Sequence, residues 1–217
     1  MKILVVLLFV VGVLNVHCAS ITISSKENDD FKVIKNHKDL TDAVSEHCEP
    51  TQEDLLGPFF KPDTAENNHI CMRYKNYTIL PKISIKGYVK NVDCDALSGA
   101  KIEIWQADEE GGYHNDNTCR GYILSDENGF YNFETIHPGR YVVNGQFRPA
   151  HIHIFTTKPG YHSLVTQIYF ENDPYLGVSD ACPPPYCHSN DPHRTISLET
   201  VGSTRQSEGF FDIVLDS

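Results

Sequence analysis

Short apolar runs separated by turn residues occupy the sequence from Ile83 to Leu215, and they constrain the fold more than any other feature. Each run is rich in Ile, Val, Tyr and Phe, and Gly, Pro, Asn or Asp stands between the runs. The runs are ISIKGYVKN, AKIEIWQA, RGYILS, GFYNFETI, RYVVNG, HIHIFTT, LVTQIYF and FFDIVL. This pattern predicts an all-β chain with long loops, folded as a single-domain β-sandwich.

The N-terminal segment has a different character. Lys2 is followed by an unbroken apolar run from Ile3 to Leu14 and then by small residues up to Ser20. This order predicts a secretory signal peptide over residues 1–20, and the run is too short to span a bilayer. We therefore expect a secreted, extracellular protein with no membrane partner.

Between the signal peptide and the strands, the pattern predicts three further features. Residues 21–38 are polar and indicate a flexible leader, and helical spacing of apolar residues predicts a short helix over Asp39–His47. The prolines of EDLLGPFFKPD, residues 53–63, favour a packed extended loop over a central strand. The predicted domain thus covers residues 39–217. Further along, Asp126–Gly129 has the composition of a tight hairpin turn.

Cysteine usage indicates an oxidising compartment. Apart from Cys18 at the edge of the signal, six cysteines remain: Cys48, Cys71, Cys94, Cys119, Cys182 and Cys187. Three disulfides are expected, and the sequence does not choose among the possible pairings. Cys182 and Cys187 bracket PPPY, so we expect them to pair locally or to attach that loop to the body. A structural zinc site is the weaker interpretation, because the cysteines are scattered.

Two surface properties bear on partners. Asn76-Tyr77-Thr78 is a glycosylation sequon, which modestly supports a surface loop. Acidic residues outnumber basic ones 29 to 18, and the formal net charge is -11. An acidic chain without a basic cluster repels phosphate backbones, so nucleic acid is excluded as an expected partner.

Two histidines stand one residue apart in the run HIHIF. Because side chains alternate along a strand, His151 and His153 would share one face, about 6.6 Å apart, while Ile152 and Ile154 face the core. Two imidazoles so placed can converge on one metal ion. The alternative is that one histidine is exposed and the other satisfies a buried hydrogen bond.

Two tyrosines follow glycine-containing turns. Tyr113 comes directly after Gly111-Gly112, and Tyr141 follows the HPGR turn. Glycine permits close backbone approach, although most tyrosines in β-sandwiches are packing residues. We interpret the tyrosines inside strand patterns in that way, namely Tyr88, Tyr122, Tyr131 and Tyr169.

Taken together, DEEGGYHND, TIHPGRYVV, RPAHIHIF and LVTQIYFENDPY resemble the intradiol ring-cleavage dioxygenases, the family of catechol 1,2-dioxygenase and protocatechuate 3,4-dioxygenase. The resemblance runs from about Gly57 to Tyr175 and includes GPFFKPD near its start. It implies that non-haem Fe(3+) is bound by Tyr113 and His151 as equatorial ligands and by Tyr141 and His153 as axial ligands. Phenolate oxygens are hard donors that suit ferric iron.

The resemblance also implies roles in catalysis. Arg148 and Gln167 match the pair that stabilises negative charge on the substrate ring. Tyr141 would leave the metal and accept a proton from the catechol. The substrates would be small-molecule catechols and O2, and the products cis,cis-muconate-type diacids. Arg148 suits its role because a guanidinium keeps its proton.

The sequence departs from larger family members in two respects. Only six residues separate Tyr141 from Arg148, and a long helical N-terminal region used elsewhere for dimerisation is missing. We therefore expect a compact monomer with an open site and broad specificity. His114 and His137, beside the expected ligands, would either support those ligands or be exposed, and exposure is favoured. The pocket wall is expected to include Phe59, Phe60, Asp63 and Tyr74.

Other interpretations remain open from the sequence. The chain could be a non-catalytic secreted β-sandwich that binds phenolics or glycans in the same groove. A zinc hydrolase would need a third histidine or a carboxylate at a recognisable spacing and leaves both tyrosines unexplained. A structural extracellular protein would leave the ordered motifs to chance.

Overall fold

The computed structural model describes residues 47–72 and 74–217. The predicted signal peptide and leader, and the predicted helix Asp39–His47 apart from its last residue, lie outside these residues. In the part of the chain that is described, no helix is long and apolar enough to cross a membrane.

Strands make up nearly all of the regular structure, as the apolar runs predict. They are β1 Lys82–Asn91, β2 Lys101–Gln106, β3 Arg120–Leu124, β4 Phe130–Ile136, β5 Tyr141–Val143, β6 Gln146–Arg148, β7 His151–Thr157, β8 Leu164–Phe170, β9 Thr195–Ile196, β10 Glu199–Thr200, β11 Gln206–Phe210 and β12 Ile213–Leu215. Gly177–Ser179 forms a short 3₁₀ turn. Each predicted run contains a strand, whereas β6, β9, β10 and β11 were not predicted.

Two five-stranded sheets pack face to face. One has the order β10-β11-β1-β12 with β4 also paired to β1, and the other has the order β3-β2-β7-β8-β9. Ile85 and Phe133 from the first sheet and Ile104 and Ile152 from the second belong to one buried cluster. The predicted β-sandwich is confirmed. Strands β5 and β6 form a separate two-stranded ribbon.

The turn Asp126–Gly129 does not form the predicted hairpin. The Asp126 carboxylate accepts the backbone N–H groups of Asn128 and Phe130, so the turn itself is present. However, β3 pairs with β2, whereas β4 pairs with β1 in the other sheet. The turn therefore crosses between the two sheets.

Three disulfides connect the described cysteines. Cys48 pairs with Cys94, Cys71 with Cys119, and Cys182 with Cys187. The last pair closes the PPPY loop locally, which was one of the two expected arrangements. Three disulfides indicate an oxidising compartment. Asn76 of the sequon is partly exposed and lies in a turn outside the strands.

The segment 53–63 is extended and contains no strand, as its prolines predict. It crosses the face of β7 and β8 that points away from the core. Asp54 donates its backbone N–H to Val165, and Gln167 donates to the Leu55 carbonyl. A Cβ on Gly57 would lie 3.2 Å from the His153 ring. The segment therefore covers His153.

Candidate metal centre and active site

His151 and His153 lie on one buried face of β7. Each is 2% exposed, their ring centroids are 4.8 Å apart, and Ile152 and Ile154 point into the core on the other face. His151 Nδ1 lies 2.8 Å from the Pro149 carbonyl, which can only accept, so Nδ1 carries the proton. The Nε2 lone pair of His151 is left to face Tyr113 Oη at 3.3 Å.

His153 is a fully buried imidazole that is held mainly by ring stacking. Its ring stacks on Trp105 at 4.7 Å, and neither ring nitrogen has a partner that meets hydrogen-bond geometry among the described residues. Burial lowers the pKa of His153 well below its usual value, and His151 and Arg148 lower it further. Burial, followed by Arg148, likewise lowers the pKa of His151 to about 3. Both rings are therefore neutral, with lone pairs available to a cation.

Tyr113 lies in the loop that follows β2, and Asp108 organises that loop. The Asp108 carboxylate accepts the backbone N–H groups of Glu110 and Gly112. It also lies 2.7 Å from His114 Nε2. His114 is partly exposed, with 38% of its side chain accessible, although its ring pairs with Asp108. His137 is exposed, as predicted.

The loops that carry the two tyrosines touch each other through glycine. A Cβ on Gly139 would lie 2.3 Å from the Glu109 carbonyl oxygen, and one on Gly111 would lie 2.4 Å from that of Arg140. Real Cβ atoms do not approach backbone so closely, so each position requires glycine. This close approach brings Tyr113 beside Tyr141, with ring centroids 5.7 Å apart.

Tyr141 begins β5 and is directly paired with Arg148 on β6. The six intervening residues form a tight antiparallel ribbon turning at Asn144 and Gly145, whose φ angles are 51° and 83°. The Tyr141 ring centroid lies 5.8 Å from that of His151. The short connection noted in the sequence thus places a tyrosine and an arginine opposite each other.

Both tyrosines are held as neutral phenols by their surroundings. Burial raises the pKa of Tyr113 well above its usual value, and Tyr141 raises it further. Burial also raises the pKa of Tyr141, while Arg148 acts to lower it. Ionisation of either phenol therefore requires a nearby cation stronger than the present arginines.

Of the residues expected in the pocket wall, Phe59 is the one that touches the tyrosines. It stacks on Tyr113 at 4.1 Å and meets the Tyr141 ring edge-on at 6.4 Å. Phe60 packs edge-on against Trp105, which in turn stacks on His153. The Tyr74 ring lies 6.3 Å from His114, and Asp63 is exposed.

Arg148 and Gln167 lie beside each other next to this cluster. Arg148 is 6% exposed, and its Nη2 donates to Gln167 Oε1 at 3.0 Å. Gln167 is the direct cross-strand neighbour of His153. The fold therefore brings Tyr113, Tyr141, His151, His153, Arg148 and Gln167 into one site.

Tyr169 also belongs to the site, although the sequence analysis assigned it to packing. Its hydroxyl lies 2.9 Å from Gln167 Oε1 and 3.0 Å from Asp54 Oδ2. Arg148 Nη2 lies 3.3 Å away. The sequence did contain a signal, because residues 167 and 169 share one face of a strand. Asp54, which pairs with Arg194 at 3.2 Å, carried no such signal.

Asp173 connects the two halves of the site. Its buried carboxylate accepts Arg140 Nε–H at 2.9 Å, just before Tyr141. It also accepts the backbone N–H of Ala150 at 3.1 Å, just before His151. One carboxylate thus fixes the start of the ribbon relative to the start of β7.

The donor set suits a metal ion but not a structural or hydrolytic zinc site. Among the described residues there is no cluster of three or more His, Cys, Asp or Glu that could hold a metal. This argues against the zinc hydrolase interpretation. Two imidazoles and two phenols converge instead, and neither buried ring nitrogen of His153 meets hydrogen-bond geometry with any of residues 47–72 or 74–217.

Comparison with known proteins gives consistent matches. A family model described as a dioxygenase matches residues 55–217. The chain is 31% identical over 161 residues to the catechol 1,2-dioxygenase of Candida albicans, covering 63% of this chain and 53% of that protein. It is 32% identical over 158 residues to a chlorocatechol 1,2-dioxygenase of Rhodococcus opacus, covering 61% and 60%. The chain spans about half the length of the curated relatives it matches.

Solved structures agree with the sequence matches. The dioxygenase domain of a dioxygenase–carbohydrate-binding fusion from Streptomyces sp. SirexAA-E has a TM-score of 0.65 at 31% identity, covering 77% of this chain and 99% of that one. The 3-chlorocatechol 1,2-dioxygenase of Rhodococcus opacus 1CP has a TM-score of 0.69 at 27% identity, covering 83% and 78%. All six site residues lie within the matched region, and the chain belongs to the intradiol ring-cleavage dioxygenase family.

Proposed function

We propose that this protein is a secreted, monomeric dioxygenase that binds Fe(3+) and cleaves catecholic rings between the two hydroxylated carbons. O2 is the co-substrate, and the products are cis,cis-muconate-type diacids. The observation that carries the proposal is the convergence of two phenols and two neutral imidazoles in one buried site. Tyr113, Tyr141, His151 and His153 would hold the iron.

When bound, ferric iron would act as a Lewis acid that stabilises tyrosinate and catecholate oxygens. The protein supplies complementary features. Burial keeps its imidazoles neutral, so each ring has a nitrogen lone pair available without first losing a proton. The phenols of Tyr113 and Tyr141 keep their protons until a cation is present. This arrangement favours a trivalent ion over weaker Lewis acids.

Tyr141 is suited to move a proton during substrate binding. Arg148, directly opposite on the ribbon, counteracts the effect of burial on the Tyr141 pKa. The phenolate oxygen of Tyr141 can accept a proton from a catechol hydroxyl, and the substrate can then bind as an anion. Tyr113, stacked under Phe59, is more constrained and would remain a ligand.

Arg148 is suited to stabilise negative charge on the ring. Its guanidinium keeps its proton and is buried, so the charge acts in a medium of low polarity. Gln167 and Tyr169 hold one edge of the group in place. Such preorganised charge accelerates a reaction because it needs no rearrangement as the substrate becomes anionic.

Secretion is supported by the signal-like N-terminal sequence and by three disulfides. The open ribbon supports broad specificity, because Val142, Val143 and Phe147 are exposed on it. Turnover of one simple catechol and of no larger one would contradict broad specificity.

The test combines colour with oxygen consumption. Protein loaded with Fe(3+) should absorb visible light through tyrosinate-to-iron charge transfer, and Tyr141→Phe should change that band. Catechol should then cause O2 uptake and the appearance of a muconate absorbance. A colourless protein that binds no iron would overturn the metal assignment. Catechol binding without O2 uptake would instead support the non-catalytic binding module.

A further inference from the structure

A disulfide-closed loop lies against the arginine of the site. Residues 177–189, called the disulfide loop below, begin with the 3₁₀ turn and contain the Cys182–Cys187 bond. Gly177 donates its N–H to Ser189 Oγ at 2.9 Å, which closes the base of the loop. Ala181 donates to the Phe147 carbonyl at 2.9 Å, which attaches the loop to β6 next to Arg148.

The guanidinium of Arg148 is held from two sides. Nη2 contacts Gln167 and Tyr169 on β8. On the other side, Nε forms an ion pair with Asp180 Oδ1 at 3.2 Å without hydrogen-bond geometry, and Nη1 donates to Cys187 Sγ at 2.9 Å. The disulfide loop therefore supplies one of the two surfaces that fix this group.

The Arg148–Asp180 pair is removed from solvent. The side chains are 8% and 0% exposed, respectively. Oδ1 of Asp180 is itself fixed, since it accepts the backbone N–H of Cys182 at 2.8 Å. A buried cation that loses its carboxylate partner must move or draw in water, because an unpaired buried charge is strongly destabilised. The direction of the guanidinium thus depends on Asp180.

The Cys182–Cys187 disulfide constrains the contacts around Arg148 more than it stabilises the fold as a whole. Cys182 follows Asp180 by two residues and donates its backbone N–H to the Asp180 carboxylate, while Cys187 contacts Arg148. Its two cysteines are only 5 residues apart, whereas Cys48 and Cys94 are separated by 46. In the chain-entropy account, the shorter closure stabilises the folded chain less.

We propose that the disulfide loop positions Arg148 for catalysis, with Asp180 as the positioning residue and the Cys182–Cys187 bond as the constraint that keeps the loop on the guanidinium. This proposal rests on the proposed function, because it assigns a role to Arg148 in ring cleavage. Arg148 contacts the substrate charge, and the disulfide loop acts through Arg148 alone. Loss of either element should impair turnover without removing iron.

The test compares three variants of the iron-loaded protein with the parent chain. They are Asp180→Asn, the double variant Cys182→Ala/Cys187→Ala, and the matched control Cys48→Ala/Cys94→Ala, whose bond lies at the end of β1 in the other sheet. For each variant we would measure kcat, KM, iron content, the visible band and the melting temperature.

For Asp180→Asn and Cys182→Ala/Cys187→Ala we expect kcat and kcat/KM to fall together, by about 10- to 100-fold, with iron content and the visible band unchanged. A parallel fall is expected because Arg148 acts on charge that develops in the transition state. Cys48→Ala/Cys94→Ala should lower the melting temperature and leave kcat unchanged.

A second readout does not depend on turnover. In protein loaded with gallium(III), a diamagnetic substitute for ferric iron, the Arg148 Nε–H should exchange slowly with solvent. Asp180→Asn and the loop double variant should accelerate that exchange by more than about tenfold, since it reports local opening. The signal is assigned by its loss in Arg148→Lys.

The outcomes separate the two proposals. A parent chain that consumes no O2 with catechol overturns the proposed function and, with it, the role of Arg148. If the parent is active and Asp180→Asn keeps the parent's kcat and its slow Nε–H exchange, the positioning role of Asp180 is wrong. If the loop double variant affects kcat no more than the Cys48→Ala/Cys94→Ala control, the disulfide constraint is wrong. If the double variant fails to fold, Asp180→Asn decides.

Discussion

The two halves of the candidate site are built in different ways. His151 and His153 lie on β7, which is hydrogen-bonded to β2 on one side and to β8 on the other. Tyr113 lies in a loop, and Tyr141 begins a two-stranded ribbon that is attached to neither sheet by strand pairing. The histidines therefore take their positions from the core, and the tyrosines take theirs from a few specific contacts.

This difference separates stability from metal binding. The strand that carries the histidines also carries fully buried isoleucines, so core packing and histidine placement change together. The tyrosine loops depend on the glycine contact and on Asp108 and Asp173, which contribute little apolar burial. A substitution there should disturb the site while leaving the sandwich largely intact.

The largest expected effect on stability is at the strand-borne half. Ile152→Ala removes a side chain that is 0% exposed between the two histidines. It should lower the free energy of unfolding by about 2–5 kcal/mol, measured by urea denaturation. The matched change on the ribbon is Val142→Ala, where the side chain is 54% exposed, and it should stay within about 0.5 kcal/mol. Equal losses would erase the distinction between the halves.

A smaller effect on stability but a large one on metal affinity is expected from Gly111→Ala. Gly111 has a φ of 88°, and its new Cβ would lie 2.4 Å from the Arg140 carbonyl oxygen. The two tyrosine loops must separate, so we expect ferric affinity to fall on the order of 100-fold, measured by chelator competition. Gly145→Ala is the control, since Gly145 has a φ of 83° with nothing within 4 Å. Equal affinity losses in both variants would attribute the effect to backbone strain instead of loop separation.

The smallest expected effect is from Asp173→Asn. The amide keeps an acceptor oxygen for Ala150 but loses the charge that pairs with Arg140. Ferric affinity should fall by about tenfold in the same competition assay. Asp212→Asn, which affects an exposed pair with Lys90 on the other sheet, should leave the affinity unchanged. Unchanged affinity in Asp173→Asn would show that the ribbon holds Tyr141 without this carboxylate.

The same contrast explains what the sequence could predict. The period of two in HIHIF was enough to place both histidines on one face, because strand geometry fixes alternation. The glycines beside Tyr113 and Tyr141 correctly indicated close backbone approach, and the family resemblance supplied the grouping of tyrosines with histidines. These features are local in sequence or shared by relatives.

Other features depend on contacts between distant positions and have no local pattern. Asp54 pairs with Arg194 across a sequence separation of 140 residues. Nothing in the turn Asp126–Gly129 reveals that its strands enter different sheets, since the same residues suit a hairpin. Asp180 reads as an ordinary loop residue until the fold brings Arg148 against it. Polar pairs between residues far apart in the sequence are therefore visible only in the structure.

The ribbon also offers a place to insert new residues next to the candidate site. Tyr141 and Arg148 are the cross-strand pair at the open end of the ribbon, and Asn144 and Gly145 form its turn. Register in an antiparallel ribbon is counted in cross-strand pairs, so lengthening both strands equally at the turn preserves the pairing at the open end. New side chains could thus be introduced by insertion between Asn144 and Gly145. The insertion would give the protein a lid of chosen chemistry, and the Tyr141 phenol and the Arg148 guanidinium would keep their positions.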